Sequence, residues 1–273
     1  MTARIKAAKR VHAHAHVRAK RAPALPQGVK WPAFGSIAHV AILGLGPSLN
    51  DYTDLCKSMG GRHAYCDETW GINAAGNVLQ CDRVFHMDDV RIQAIRAAAR
   101  PDSNIAAMLK WLKTAPGPVY TSRAHPDYPG LVPFPLEAVL NMEPCGYFNS
   151  TAAYAVAFAV LLGVEKISLF GMDFTYPNAH DAERGRACVE FWLGIARGRG
   201  IRIGMSKRTS LMDALYTQQE RLYGYDTLTV DIKVPKAKGP IALGFTEVEA
   251  LPTADEIEAR YDHSKHPSPL VAS

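Results

Sequence analysis

Short apolar runs, glycine- or asparagine-bearing turns and amphipathic stretches follow one another along the chain in a repeating order, and that order predicts strands alternating with helices. The pattern is plainest in residues 148–180, FNSTAAYAVAFAVLLGVEKISLFGMDFTYPNAH. Residues 152–162 are apolar on nearly every face, which predicts a helix covered on most sides. Asn149 and Ser150 ahead of it are good N-cap types, and Gly163 stops it. Residues 166–171 are β-branched or apolar and few, as expected of a central strand. Asp173, Tyr176, Asn178 and His180 crowd beyond its C-terminal end, the edge at which open α/β sheets take their ligands.

The same reading extends in both directions. Residues 37–43 form a short apolar run suited to a buried first strand, and Gly44, Leu45, Gly46, Pro47 and Ser48 follow at once, with Asn50 or Asp51 placed to cap the next helix. A second unit spans 63–78, a short strand followed by Trp70, Gly71, Ile72, Asn73 and Ala74. Residues 83–86 read as a strand ending in Met87, Asp88 and Asp89, then helices are predicted at 90–100 and 103–113, the latter with Ile105, Met108, Leu109 and Leu112 on one stripe. Val119 and Tyr120 start another strand. Residues 121–147 hold Pro126, Pro129, Pro133, Pro135 and Pro144 and read as a long loop of the lid or acceptor-site kind. Beyond the organising stretch come an amphipathic helix at 181–198, a short strand around Ile201 and Ile203, a helix at 210–222, and an edge strand or extended arm through Leu228, Val230, Ile232 and Val234. A short helix at 254–261 precedes a polar end. The expected organisation is an arm at 1–35, one nucleotide-binding α/β domain at 36–225 and a C-terminal extension at 226–273.

Charge changes this picture at one end only. The net charge of +5 is modest, but residues 1–50 contain no acidic residue while Arg4, Lys6, Lys9, Arg10, Arg18, Lys20, Arg21 and Lys30 are basic. Pro23, Pro26 and Pro32 mark this arm as a linker, and its charge makes a polyanion or nucleic acid its expected partner. His12, His14 and His16 alternate with apolar residues and lack acidic or cysteine neighbours, so they read as a solvated segment rather than a metal site. The five cysteines are scattered without a CxxC pair, which fits reduced thiols and no zinc. No long uncharged apolar run and no signal-peptide pattern is present, and a cytoplasmic protein is expected.

The candidate chemistry lies in the turns. Glycines allow close backbone approach, and a loop of this kind feeding a helix N-terminus favours phosphate, with Ser48 adding a hydroxyl. The GxGPS string lacks both the third glycine of the dinucleotide fingerprint and the GK[ST] of a P-loop. Asn73 offers an amide that both donates and accepts to a base or ribose. Asp88 and Asp89 suit a metal or ribose hydroxyls, although a cap on the helix from Val90 is the favoured role for an aspartate there.

GLGPSLND after the first strand, GINAAG after the second, and STAAYAVAFAVLLGVEKISLFGMDFTY with His180 together resemble two related families. One is the bacterial sialyltransferases of glycosyltransferase family 42. The other is the DUF115 group, with MptE-like pterin pyrophosphokinases, Maf-like proteins and loosely described phage members. The resemblance spans residues 40–214, including RTSLMDA, and its most specific part is the helix, LG turn and strand ending GMDF. It implies a doubly wound, mainly parallel α/β sheet with helices on both faces, Rossmann-like and a GT-A-type variant. From the sialyltransferases it implies a nucleotide-sugar donor, with Gly44, Gly46, Pro47, Ser48 and Asn73 at the nucleotide and Asn149, Ser150 and Thr151 near phosphate or sugar. His180 is then the general base with Asp173 beside it, and Asp88 and Tyr176 lie on the acceptor or phosphate side. No further cofactor is implied. Leu45 and Ala74 depart from the asparagine and glutamine of the sialyltransferases, which argues against sialic acid as the sugar. The pyrophosphokinases imply instead ATP and magnesium, held by Asp88, Asp89 and Asp173. A phage accessory or assembly protein binding nucleic acid through the arm is the third reading.

Overall fold

The computed structural model describes residues 32–175, 178–225, 227–235, 239–248 and 250–259. Residues 1–31 of the basic arm and Tyr176 lie outside the described residues, and Gly35, at the end of the expected arm, is already tied to the domain by its N–H, which donates to the Leu162 carbonyl at 2.8 Å.

Seven parallel strands form one sheet in the order β5-β4-β3-β2-β1-β6-β7. The first half runs β1 (His39–Leu43), α1 (Leu49–Met59), α2 (Arg62–Tyr65), β2 (Glu68–Ile72), α3 (Ala75–Val78), β3 (Arg83–Phe85), α4 (Val90–Ala99), α5 (Asn104–Leu112), β4 (Val119–Thr121) and β5 (Leu131–Pro133). The chain returns through α6 (Leu136–Met142) and α7 (Thr151–Leu162) to β6 (Lys166–Phe170), beside β1, and continues into α8 (Ala179–Gly198) and β7 (Arg202–Met205). This is a doubly wound, parallel α/β sheet with helices on both faces, as expected. The reversal of direction between β1 and β6 creates a topological switch point.

α7 is buried along most of its length because three layers meet on it: it packs on β1, β2 and β3 and is flanked by α6 and α8. Phe158 on α7 stands 5.5 Å from Trp70, 5.6 Å from Phe85 and 4.8 Å from Tyr120, ring centre to ring centre, so one helix residue ties together three strands. Fully burying such side chains contributes about 1.5–3 kcal/mol each. On the opposite face Met108, Leu109 and Leu112 of α5 pack with Val84, Val90 and Val119.

Several expectations are corrected. Trp70 lies inside β2, and residues 62–65 form a helical turn. The proline-rich stretch is no bare loop: it holds β5 and α6, with Pro133 at the end of a strand that among the described residues pairs only with β4, where a missing N–H costs nothing. The predicted helix at 210–222 is one 3-10 turn at Leu211–Asp213; Met212 and Asp213 take φ of 49° and 52°, which no helix accommodates. The alternation at 228–234 forms β8 (Leu228–Lys233), paired antiparallel with β9 (Ala242–Glu247) as a separate two-stranded sheet. The last predicted helix is α9 (Ala254–Glu258), whose Thr253 and Glu256 make a reciprocal capping box. Among the described residues no helix is long and apolar enough to cross a membrane.

Candidate functional site

A cleft of about 550 Å³ opens at the C-terminal edge of the sheet, across the switch point. Its walls come from the turn after β1 (Gly44, Leu45, Gly46), the turn after β2 (Ile72, Asn73, Ala74), Asp88 after β3, the start of α7 (Ser150, Thr151, Ala152) and the segment after β6 (Gly171 to Thr175). Five segments distant in sequence thus converge on one concavity, within the size range of ligand sites.

The β6 wall is locked to the glycine turn by internal bonds. Ser48 N–H donates to Asp173 Oδ2 at 2.8 Å, Ser48 Oγ donates to Asp173 Oδ1, and Gly171 N–H donates to Ser48 Oγ at 2.7 Å. Gly46 N–H donates to the Gly171 carbonyl at 2.8 Å. A Cβ on Gly46 would lie 2.4 Å from Asp173 Oδ2 and 3.0 Å from the Gly171 oxygen, and Gly171 itself sits at φ +69°. From behind, Thr209 Oγ1 donates to the Met172 carbonyl and Ser210 Oγ to that of Asp173, both at 2.9 Å.

These contacts reassign three residues. Ser48 is fully buried and spends its hydroxyl on Asp173 and Gly171, so it offers nothing to a phosphate. Asp173 lines the cleft, but it is 3% exposed and both carboxylate oxygens accept from Ser48; its position is that of a strut rather than of a reacting group. Gly46 is required by the approach of Asp173 and Gly171 rather than by a phosphate. The N-terminus of α1 is capped by neither Asn50 nor Asp51: its N-cap position is Ser48, and Asp51 accepts instead from Ser206 Oγ at 2.5 Å.

The facing wall is different. Ser150 occupies the N-cap position of α7 in extended geometry, yet its side chain does not cap the helix and meets Cys188 Sγ at 3.5 Å. The N–H groups of Thr151 and Ala152 and the Thr151 hydroxyl have no partner among the described residues, so the positive end of α7 faces the cleft with donors unspent. The approach to α7 is held by Phe148, stacked at 4.2 Å on Tyr154 and at 5.1 Å on Trp192, and by Trp192 Nε1, which donates to the Tyr147 carbonyl at 3.1 Å. Asn73 has φ 51° and its Oδ1 lies 3.1 Å from His86 Nδ1. His86 is 1% exposed, and burial pushes its pKa below the ordinary value, with Asp88 pulling the other way at 3.9 Å from Nδ1.

Of the residues singled out from sequence, Gly44, Gly46, Asn73, Asp88, Ser150, Thr151 and Asp173 come together in the cleft, whereas Pro47 and Asn149 are exposed outside its lining. His180 is also outside the lining, exposed in the first turn of α8. Asn178 caps that helix, accepting from His180 N–H at 3.1 Å, and the imidazole makes no hydrogen bond among the described residues. The magnesium set implied by the pyrophosphokinases is not assembled. Asp89 caps α4 and is taken up by Arg91, Asp173 is taken up by Ser48, and among the described residues no group of three or more potential ligands stands together. His86 escaped the sequence reading as a site residue; its only signal was a histidine closing the short run from Arg83 through Val84 and Phe85.

No protein-family model matches the chain, and no curated protein matches it by sequence. Among solved structures it is similar to the sialyltransferase CstII from Campylobacter jejuni in complex with a substrate analogue, cytidine-5'-monophosphate, at 13% identity and a TM-score of 0.40, over 81% of this chain and 96% of that one. A point mutant of the alpha-2,3/8-sialyltransferase CstII is similar at 13% identity and a TM-score of 0.32, over 82% and 100% of the two chains. Likeness at this level carries no argument about chemistry, which rests on the cleft itself.

Proposed function

We propose that the chain is a transferase that binds a nucleotide sugar in the switch-point cleft and moves the sugar to a hydroxyl acceptor. One observation carries the reading: donors without a partner among the described residues, at the start of α7 and on Asn73, belong to the same cleft at the edge where doubly wound sheets take nucleotides. The Thr151 and Ala152 N–H groups and the Thr151 hydroxyl hold the leaving phosphate and stabilise the charge it gains as the glycosidic bond breaks. Asn73 meets the base or ribose, and Asp88, half exposed, faces the acceptor side. His180 takes the acceptor's proton. Its exposed imidazole makes no hydrogen bond among the described residues, and its helix follows the segment that forms the β6 wall.

A thermal-shift panel with CMP, UDP, GDP and ATP, each with and without magnesium, tests the reading, because a ligand bound only by the folded state raises the melting temperature. Stabilisation by a pyrimidine or guanine nucleotide is expected. Stabilisation by ATP alone, and only with magnesium, favours pyrophosphoryl transfer in its place.

A further inference from the structure

His86 stands at the end of β3 and meets Asn73 through Nδ1, while its Nε2 is buried without a partner among the described residues. A neutral imidazole carries one proton, and two features put it on Nδ1. The Asp88 carboxylate, 3.9 Å from Nδ1, attracts the hydrogen to that side. The other tautomer would bury an N–H with no acceptor, a rarer and costlier state than a bare ring nitrogen. Nδ1–H therefore donates to Asn73 Oδ1. Asn73 itself sits in the left-handed region, its backbone N–H donating to the Phe85 carbonyl at 2.8 Å, so both its main chain and its side-chain oxygen are fixed from the β3 side. The part of the amide left for the cleft is Nδ2, with two N–H donors and no acceptor.

We propose that His86 is a positioning residue that turns the Asn73 amide so that this wall of the cleft offers hydrogen-bond donors only, and that the ligand is recognised there through an acceptor atom. On the nucleotide reading of the cleft, from which this follows, the acceptor is a base carbonyl or ring nitrogen, or a phosphate oxygen. An exocyclic amine is refused at this point. Residue type alone left Asn73 free to donate or accept; the buried histidine removes that freedom.

Two measurements test the proposal. In the free protein, the ¹⁵N shifts of the His86 ring report its tautomer: a proton on Nδ1 is expected, and a proton on Nε2 overturns the proposal whatever the ligand is. Calorimetric titrations with CMP, cytidine and inorganic phosphate then compare the natural chain with Asn73→Asp, His86→Leu and His86→Asn. Asn73→Asp keeps the size, the tolerance for positive φ and an acceptor for His86, but replaces the donors with a carboxylate; it should weaken CMP at least about thirtyfold. His86→Leu frees the amide and should weaken CMP about tenfold, while His86→Asn, with a donor near the place of Nδ1, should recover most of that loss. If His86→Leu does not fold, Asn73→Asp and the tautomer decide. Losses seen with cytidine place the acceptor on the base; losses confined to CMP and phosphate place it on the phosphate. Unchanged CMP affinity in Asn73→Asp, or His86→Asn no better than a folded His86→Leu, contradicts the proposal. A natural chain that binds none of CMP, UDP, GDP and ATP overturns the nucleotide reading and the ligand half of this one, while the tautomer still decides the orienting half.

Discussion

The cleft has two walls that both carry small hydroxyl-bearing residues, Ser48 and Thr209 about the β6 side and Ser150 and Thr151 at α7, yet the fold uses them in opposite ways. On the β6 side, Ser48, Gly46, Gly171 and Asp173 satisfy one another, and Thr209 and Ser210 close the knot from behind. On the α7 side, the Thr151 and Ala152 donors have no partner among the described residues. A polar atom already paired gains little from a ligand, whereas an unpaired one at the rim of a cleft makes a full bond when a ligand arrives. The knot therefore holds the switch point in shape, and the α7 wall with Asn73 binds. Residue type does not separate these roles; the partners do.

The strongest test of that division is Gly46→Val. The new side chain would begin 2.4 Å from Asp173 Oδ2 and break the knot, so denaturant unfolding should show a loss of about 3 kcal/mol or more, in place of an intact fold with a lost ligand. A Gly46→Val protein as stable as the natural one would mean that the knot is ornamental. His180→Ala asks whether chemistry needs a group from neither wall. Turnover should fall about a hundredfold with nucleotide affinity nearly unchanged, and steady-state kinetics paired with titration would show it. Thr151→Val sharpens the contrast from the binding side: nucleotide affinity should drop about tenfold while the melting temperature stays within a few degrees, the reverse of the Gly46→Val pattern.

The smallest effect concerns acid. Burial holds the His86 pKa below its value in the unfolded chain, so the unfolded state binds a proton first as pH falls. The neutral ring's contribution is complete above about pH 6.5 and is lost on moving down through the folded pKa, by at most about 1.4 kcal/mol per pH unit. Urea midpoints at pH 7.5 and 5.0 should converge in His86→Asn relative to the natural chain; equal acid sensitivity in the two would show that His86 is not the group responsible.

The architecture was legible where one physical signal dominated. Residues 152–162 are so uniformly apolar that only a covered helix accommodates them, and Asp89 and Ser103 sit where capping aspartates and serines belong, each accepting from the N–H it should. Where tertiary contacts outweigh local preference the sequence was silent or misleading. Residues 210–222 look helical, but Thr209 and Ser210 are bound to the β6 segment and Met212 N–H donates to Glu190 at 2.6 Å, which holds the chain in positive φ. Pro133 masked a strand that tolerates it only because it pairs on one side. In the cleft, Gly44, Asn73, Ser150 and Thr151 could be named from their places after strands and before α7. That Ser48 would turn inward to Asp173, and that His86 would hold Asn73, depend on contacts across more than a hundred residues in the first case and between adjacent strands in the second.

Amide chemical-shift mapping of the full chain on titration with CMP tests the central claim most directly. The largest shifts are expected on residues 72–74 and 150–152, at the turn after β2 and the start of α7, with smaller ones on the paired turn at 44–46. Shifts gathered instead around Arg62, Cys81 and Trp111, which line a separate cavity of about 330 Å³ at the opposite ends of β3 and β4, would contradict it, as would a spectrum unmoved by any nucleotide.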